Sequence, residues 1–126
     1  MTQAIAIHEL DGLQLANALR AGIYRLFERT DHINKINVFP VPDGDTGTNM
    51  SMTLSAVLAA IDRAPEPHAG TLLVRAADAA LDGARGNSGA ILAQFLLGLG
   101  DGAGHLARLG RREFVAAVSK GSVYAR

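Results

Sequence analysis

Apolar positions along this chain recur mostly at three- and four-residue intervals, so the pattern is helical nearly throughout. Leu15, Leu19, Ile23, Leu26 and Phe27 share one face of a first helix over about residues 12–29, with Asp11 placed to cap it. Residues 34–47 then hold Pro40, Pro42, Gly44 and Gly47, which forbid a continuing helix. Met50, Leu54, Val57, Leu58 and Ile61 mark a second helix, and Pro65 and Pro67 the turn after it. A third, over about 71–82, is expected to bury Leu72, Leu73, Ala76, Ala77, Ala80 and Leu81. Residues 83–89 interrupt the pattern before Ile91, Leu92, Phe95, Leu96 and Leu99 mark a fourth helix. The glycine-rich stretch 98–110 reads as a loop into a last amphipathic segment carrying Phe114, Val115, Val118 and Val123. No repeat, low-complexity tract or strand pair is evident. The predicted fold class is all-α, with neighbouring helices antiparallel because their connections are short.

Composition agrees with that pattern and narrows the function. Residues 1–126 suit a single domain with a real core. Apolar residues reach 48% but aromatics only 5%, a mix that favours packing of small-residue helices over a sheet. Twelve basic residues balance twelve acidic ones, so no global field would recruit nucleic acid or an anionic membrane. Zero cysteines exclude disulfides and thiolate metal sites, and fit a reducing compartment. The N-terminal segment contains His8 and Glu9 and lacks a secretory pattern. The mostly apolar run 90–99 is about half the roughly 20 residues of a membrane span. A soluble, cytoplasmic protein is expected.

Two segments share one design. Asp43-Gly44-Asp45-Thr46-Gly47-Thr48-Asn49 runs into the second helix, and Gly83-Ala84-Arg85-Gly86-Asn87-Ser88-Gly89 into the fourth. A glycine-rich turn entering a helix exposes backbone N–H groups that no carbonyl of the helix can satisfy, and with the helix dipole these attract phosphate. Thr46, Thr48, Asn49, Asn87 and Ser88 add short polar side chains able to hydrogen-bond phosphate oxygens. Asp43 and Asp45 would repel phosphate unless a divalent cation lay between. Mg²⁺ held by one or two carboxylates plus phosphate oxygens resolves that conflict. Asn37, six residues before Asp43, could add a further oxygen. Taken singly, the first segment is also explained as a tight turn plus cap and the second as a helix C-cap followed by an N-cap; their pairing favours a Mg-nucleotide site.

Other sites fit poorly. An EF-hand beginning at Asp43 would need Asp or Asn fifth, Gly sixth and Glu twelfth, where the chain has Gly47, Thr48 and Leu54. Neither glycine turn contains the Gly-Lys-Ser/Thr of a Walker A loop, and no GxGxxG follows a strand. His8, His32, His68 and His105 lack metal-ligand spacing and read as surface positions. Arg108, Arg111, Arg112, Lys120 and Arg126 read as a solvated basic face. Ser88 has no His or Lys arranged to activate it.

The run Asn37-Val38-Phe39-Pro40-Val41-Pro42 leading into Asp43–Met50 resembles the signature of the DhaL family, the nucleotide-binding half of dihydroxyacetone kinases. It is most similar to the branch represented by the DhaL-containing component of fatty acid kinase, whose second motif resembles residues 83–89 and the Ala-Ile-Leu-Ala-Gln that follows. The resemblance implies a barrel of eight antiparallel amphipathic helices with Mg-ATP at one end. It places Asp43 and Asp45 on metal-binding aspartates, and Thr46, Gly47, Thr48, Asn49, Ser88 and Gly89 on phosphate-contacting segments. The dihydroxyacetone kinases have a third upstream aspartate, for which Asn37 is the substitute here. The implied cofactors are ATP and Mg²⁺. The implied reaction moves the γ-phosphoryl group to a fatty acid held by a DegV-like binding protein. No catalytic residue is assigned, because a carboxylate acceptor is already a nucleophile. The length is short of a whole barrel, so the single domain is expected to be incomplete, with apolar faces that a second copy or another complement would cover. A dihydroxyacetone-type kinase, and a non-catalytic remnant or interaction module, are the alternatives.

Overall fold

Capping, close glycine contacts and one buried seam organise the chain, described from a computed structural model over residues 8–36 and 44–126. Asn37 and Asp43 lie outside the described residues. In order, the elements are β1 (Glu9–Leu10), α1 (Gly12–Glu28), α2 (Thr30–Lys35), α3 (Thr46–Arg63), α4 (Ala69–Gly83), α5 (Gly86–Ala103), β2 (Leu109–Gly110) and α6 (Arg111–Tyr124). The all-α expectation holds.

The first helix begins at Asp11, whose carboxylate accepts from the Gln14 amide at 2.9 Å while the Gln14 side chain accepts from the Asp11 amide. This reciprocal cap satisfies two amides that the helix cannot. From there α1 runs antiparallel to α3. The Gly12 amide reaches the Pro67 carbonyl at 2.8 Å, Arg20 grips Asp62 at 2.7 and 2.9 Å, and the Thr30 and Ser51 hydroxyls meet at 2.6 Å. The α4 N-terminus is tied to the segment after α5, through Gly70 to Leu106 and Ala69 to Ala107, each 2.8 Å, so those two helices also run oppositely. It follows that α3 and α5 are parallel and begin at the same end.

Helix α4 is the centre of the core. Its Ala69, Leu72, Ala76 and Ala80 are fully buried, against Val57 and Ile61 of α3, Leu15 and Ile23 of α1, and Leu96 and Leu99 of α5. Each large apolar side chain removed from water contributes about 1.5–3 kcal/mol. The alanines contribute mainly by letting three helices approach one axis. An apolar cleft of about 390 Å³ remains among α1, α5 and α6, lined by Leu19, Gly22, Leu92, Phe95, Phe114 and Val118 with others.

Several details depart from the sequence pattern. Residues 98–103 are not loop but the last turns of α5. Gly98 faces Gly121, Gly100 faces Val74 and Gly102 faces Ala117, so these glycines serve helix contact instead of a break. The interruption at 83–89 shrinks to Ala84 and Arg85, and Gly86 to Gly89 form the first turn of α5. Helix α2 follows α1 after Arg29 and was invisible to periodicity because none of its residues is buried. The third helix begins at Ala69, with the His68 imidazole accepting from the Thr71 amide at 3.1 Å, so His68 is a cap and not merely a surface residue. A strand pair does exist: Glu9 pairs with Gly110 and Leu10 with Leu109, too short for alternation to reveal. Leu81, Ile91, Phe114, Val115 and Val123, expected on buried faces, are 40–58% exposed.

At the α5–α6 crossing the Tyr124 hydroxyl donates to an Asp101 carboxylate oxygen at 2.7 Å. That bond holds the phenol above its ordinary range. The folded chain therefore keeps this proton more tightly, and the contact is present at neutral pH and lost as pH rises through the raised value.

A Cβ on Gly98 would lie 2.6 Å from the Gly121 Cα and 2.7 Å from the Lys120 carbonyl, backbone that cannot swing aside. Gly98→Ala is expected to cost about 1–3 kcal/mol by overpacking, although alanine is the better helix former by roughly 1 kcal/mol. Gly22, also inside a helix, has nothing within 4 Å of such a Cβ, and Gly22→Ala should stabilise by up to about 1 kcal/mol. Urea unfolding of the two variants checks the opposite signs.

Candidate functional site

The two glycine turns meet because the α4–α5 connection is only two residues long and returns α5 directly beside α3. The contact centres on Thr53, the one buried polar side chain among the described residues. Its hydroxyl donates to the Asn49 carbonyl at 2.8 Å and accepts the Arg85 amide at 3.1 Å. One side chain of α3 thus fixes the residue at which α5 begins. Gly89 makes the approach possible, since a Cβ there would stand 2.3 Å from the Thr53 hydroxyl. Gly86 has φ +63°, the left-handed region open to glycine, and a Cβ on it would press 2.3 Å from the Asn49 side-chain nitrogen Nδ2. The Ser88 hydroxyl reaches back to the Thr46 carbonyl at 3.2 Å and closes the junction.

A third element holds the start of α3 from the other side. Asn34 of α2 accepts from the Thr48 amide at 3.0 Å and donates to the Thr48 hydroxyl at 2.9 Å. Gly47 is bare for the same reason, with the Thr30 carbonyl 2.5 Å and Asn34 Oδ1 3.0 Å from where its Cβ would be.

The result is two parallel helix beginnings at one end of the molecule, their positive dipole ends side by side. Neither is capped by its own boundary side chain: Asp45 makes no side-chain cap bond to α3, and Arg85 makes none to α5. Gly44, Asp45, Thr48, Arg85, Gly86 and Asn87 are exposed at this end, Thr46, Asn49 and Ser88 are half-buried, and Gly47 and Gly89 are buried. Of the expected cation ligands only Asp45 falls among the described residues, where no group of three or more His, Asp or Glu side chains forms. The donor chemistry fits Mg²⁺ even so. That ion needs one or two carboxylates when phosphate oxygens and water complete the shell, and an exposed carboxylate beside two anion-receptive helix ends supplies that.

Sequence reasoning missed Asn34, Thr53 and Arg85. Thr53 had a readable signal, because it precedes Val57 by four residues and shares its buried face. Asn34 had none, lying in a stretch assigned to irregular structure. Arg85 was read only as part of a motif, but it is the N-cap residue of α5 and sets a cation at the mouth of the site. The basic residues Arg108, Arg111, Arg112, Lys120 and Arg126 are all exposed, far along the chain from this junction.

Comparison with known proteins gives this geometry a family. The profile of the DAK2 domain matches residues 40–125. The chain belongs to the DAK2-domain, DhaL-type family. Among relatives, Protein YloV of Bacillus subtilis is 34% identical over 117 residues, which is 93% of this chain and 21% of that protein. Uncharacterised proteins of Staphylococcus saprophyticus and Staphylococcus aureus are 38% and 37% identical over 92 residues, 73% of this chain and 17% of theirs. The chain therefore spans about a fifth of the length of these relatives. As a DhaL-type module it is of the kinase nucleotide-binding kind. No helix among the described residues is long and apolar enough to cross a membrane.

Thr53→Val keeps the shape but leaves the Arg85 amide without its acceptor. The expected loss is about 1–3 kcal/mol, with Thr53→Ser close to the parent. Thermal and urea unfolding of both variants measure it; equal stability of Thr53→Val and the parent would count against the tie.

Proposed function

We propose that the joined beginnings of α3 and α5 bind the phosphates of ATP together with Mg²⁺, and that the intact protein passes the γ-phosphoryl group to a fatty acid held by a DegV-like partner. One observation carries the nucleotide part. The boundary side chain closes α1 through Asp11 and α4 through His68. Here neither boundary side chain makes a cap bond, and the two ends are drawn together. That arrangement suits a ligand with several adjacent anionic groups.

The residues then divide the work. First-turn amides of α3 and α5, apart from that of Thr48, which Asn34 takes, and the Thr46, Thr48, Asn49, Asn87 and Ser88 side chains hold phosphate oxygens, while Gly47, Gly86 and Gly89 let the backbone come close. Mg²⁺, when bound by Asp45 with Asp43 and Asn37 of the preceding sequence, would offset the charge between carboxylates and phosphate. Arg85 adds a positive charge at the same mouth. Catalysis of this kind is positioning and electrostatic stabilisation, with little proton transfer for the protein to perform. The acceptor and partner rest on the likeness of residues 37–50 and 83–89 to the fatty acid kinase branch.

Calorimetric titration with ADP tests the reading. Binding is expected with Mg²⁺ and at least tenfold weaker without it, and Asp45→Ala should erase the difference. Absence of binding in both conditions would refute the nucleotide assignment for this chain.

A further inference from the structure

We propose that Asn34 is a positioning residue that fixes the polarity of the Thr48 hydroxyl, so that Thr48 offers phosphate a hydrogen-bond donor. The inference rests on the Mg-nucleotide reading of the site. A backbone N–H can only donate. The atom of Asn34 that takes the Thr48 amide at 3.0 Å is therefore the side-chain oxygen, and the atom facing the Thr48 hydroxyl at 2.9 Å is the amide nitrogen. That nitrogen can only donate, so the hydroxyl oxygen accepts and its proton is directed away from Asn34. A hydroxyl oriented as a donor attracts a phosphate oxygen; one turned the other way presents a lone pair and repels it.

The same contact uses up the Thr48 N–H, which leaves the hydroxyl as the donor through which Thr48 would meet the nucleotide. It also places α2 beside the beginning of α3 and beside Gly44, whose missing Cβ would lie 3.8 Å from the Asn34 carbonyl. Asn34 thus braces the start of α3.

Asn34→Asp separates this role from a merely structural one. An aspartate still accepts the Thr48 amide and suits the positive end of α3, so the fold and melting temperature should be kept or improved. It cannot donate, so it takes the hydroxyl proton for itself. Titration of the 126-residue chain with ADP and Mg²⁺ should give at least tenfold weaker binding for Asn34→Asp. Thr48→Ala should bind weakly and Thr48→Ser normally. In a Thr48→Ala background, Asn34→Asp should cost less than it does alone, since the shared hydroxyl is already gone. Parent-like binding by Asn34→Asp or by Thr48→Ala overturns the proposal while leaving the nucleotide reading in place. An undiminished penalty in the Thr48→Ala background overturns it as well, because added charge alone would then explain the loss. If the parent chain binds no nucleotide, the site reading falls and this proposal with it.

Discussion

Thr53 lies where α3 and α5 would otherwise each begin on their own, and its hydroxyl serves both. It returns a bond to the Asn49 carbonyl within α3 and receives the amide of Arg85, the residue that precedes α5. Because the side chain is wholly buried, either bond left unmade would carry the full cost of a dry polar group. The position of α5 relative to α3 is therefore set by chemistry at one point and not merely by general packing. The functional end depends on that point, since the first-turn amides of two helices converge only while their starts are held level.

Small residues make the rest of this geometry possible. Alanines along α4 draw α1, α3 and α5 onto one axis, and bare glycines at 47, 89, 98 and 121 allow backbone to touch backbone or a buried hydroxyl. Among the described residues Leu72 and Val57 are the largest apolar side chains fully enclosed. Such a core positions helices closely but offers limited tolerance. A Cβ added at these crossings meets main chain or a committed hydroxyl, neither of which can rotate out of the way.

The all-α fold was legible because the apolar period is local, repeated through four long helices and little disturbed by sheet-forming residues. The glycines misled wherever their purpose was contact. At 98–103 they sit within α5, and nothing local distinguishes a glycine that breaks a helix from one that lets another helix in. Leu81 and Ile91 were misplaced because periodicity identifies a face without saying whether a neighbour covers it. In the site, the two glycine segments could be paired from their likeness to each other and to a family, but the means of joining them could not. Thr53 and Asn34 act across 32 and 14 residues of sequence, and pairings of that range have no local signature.

If both helix beginnings hold one ligand, their amides must sense it together. Amide chemical shifts recorded by solution NMR during addition of ADP and Mg²⁺ follow each beginning separately. Thr46, Gly47 and Asn49 are expected to shift together with Gly86, Asn87, Ser88 and Gly89, along a single saturation curve. Changes confined to one of the two helix beginnings, or centred on residues of α6, would contradict a shared site.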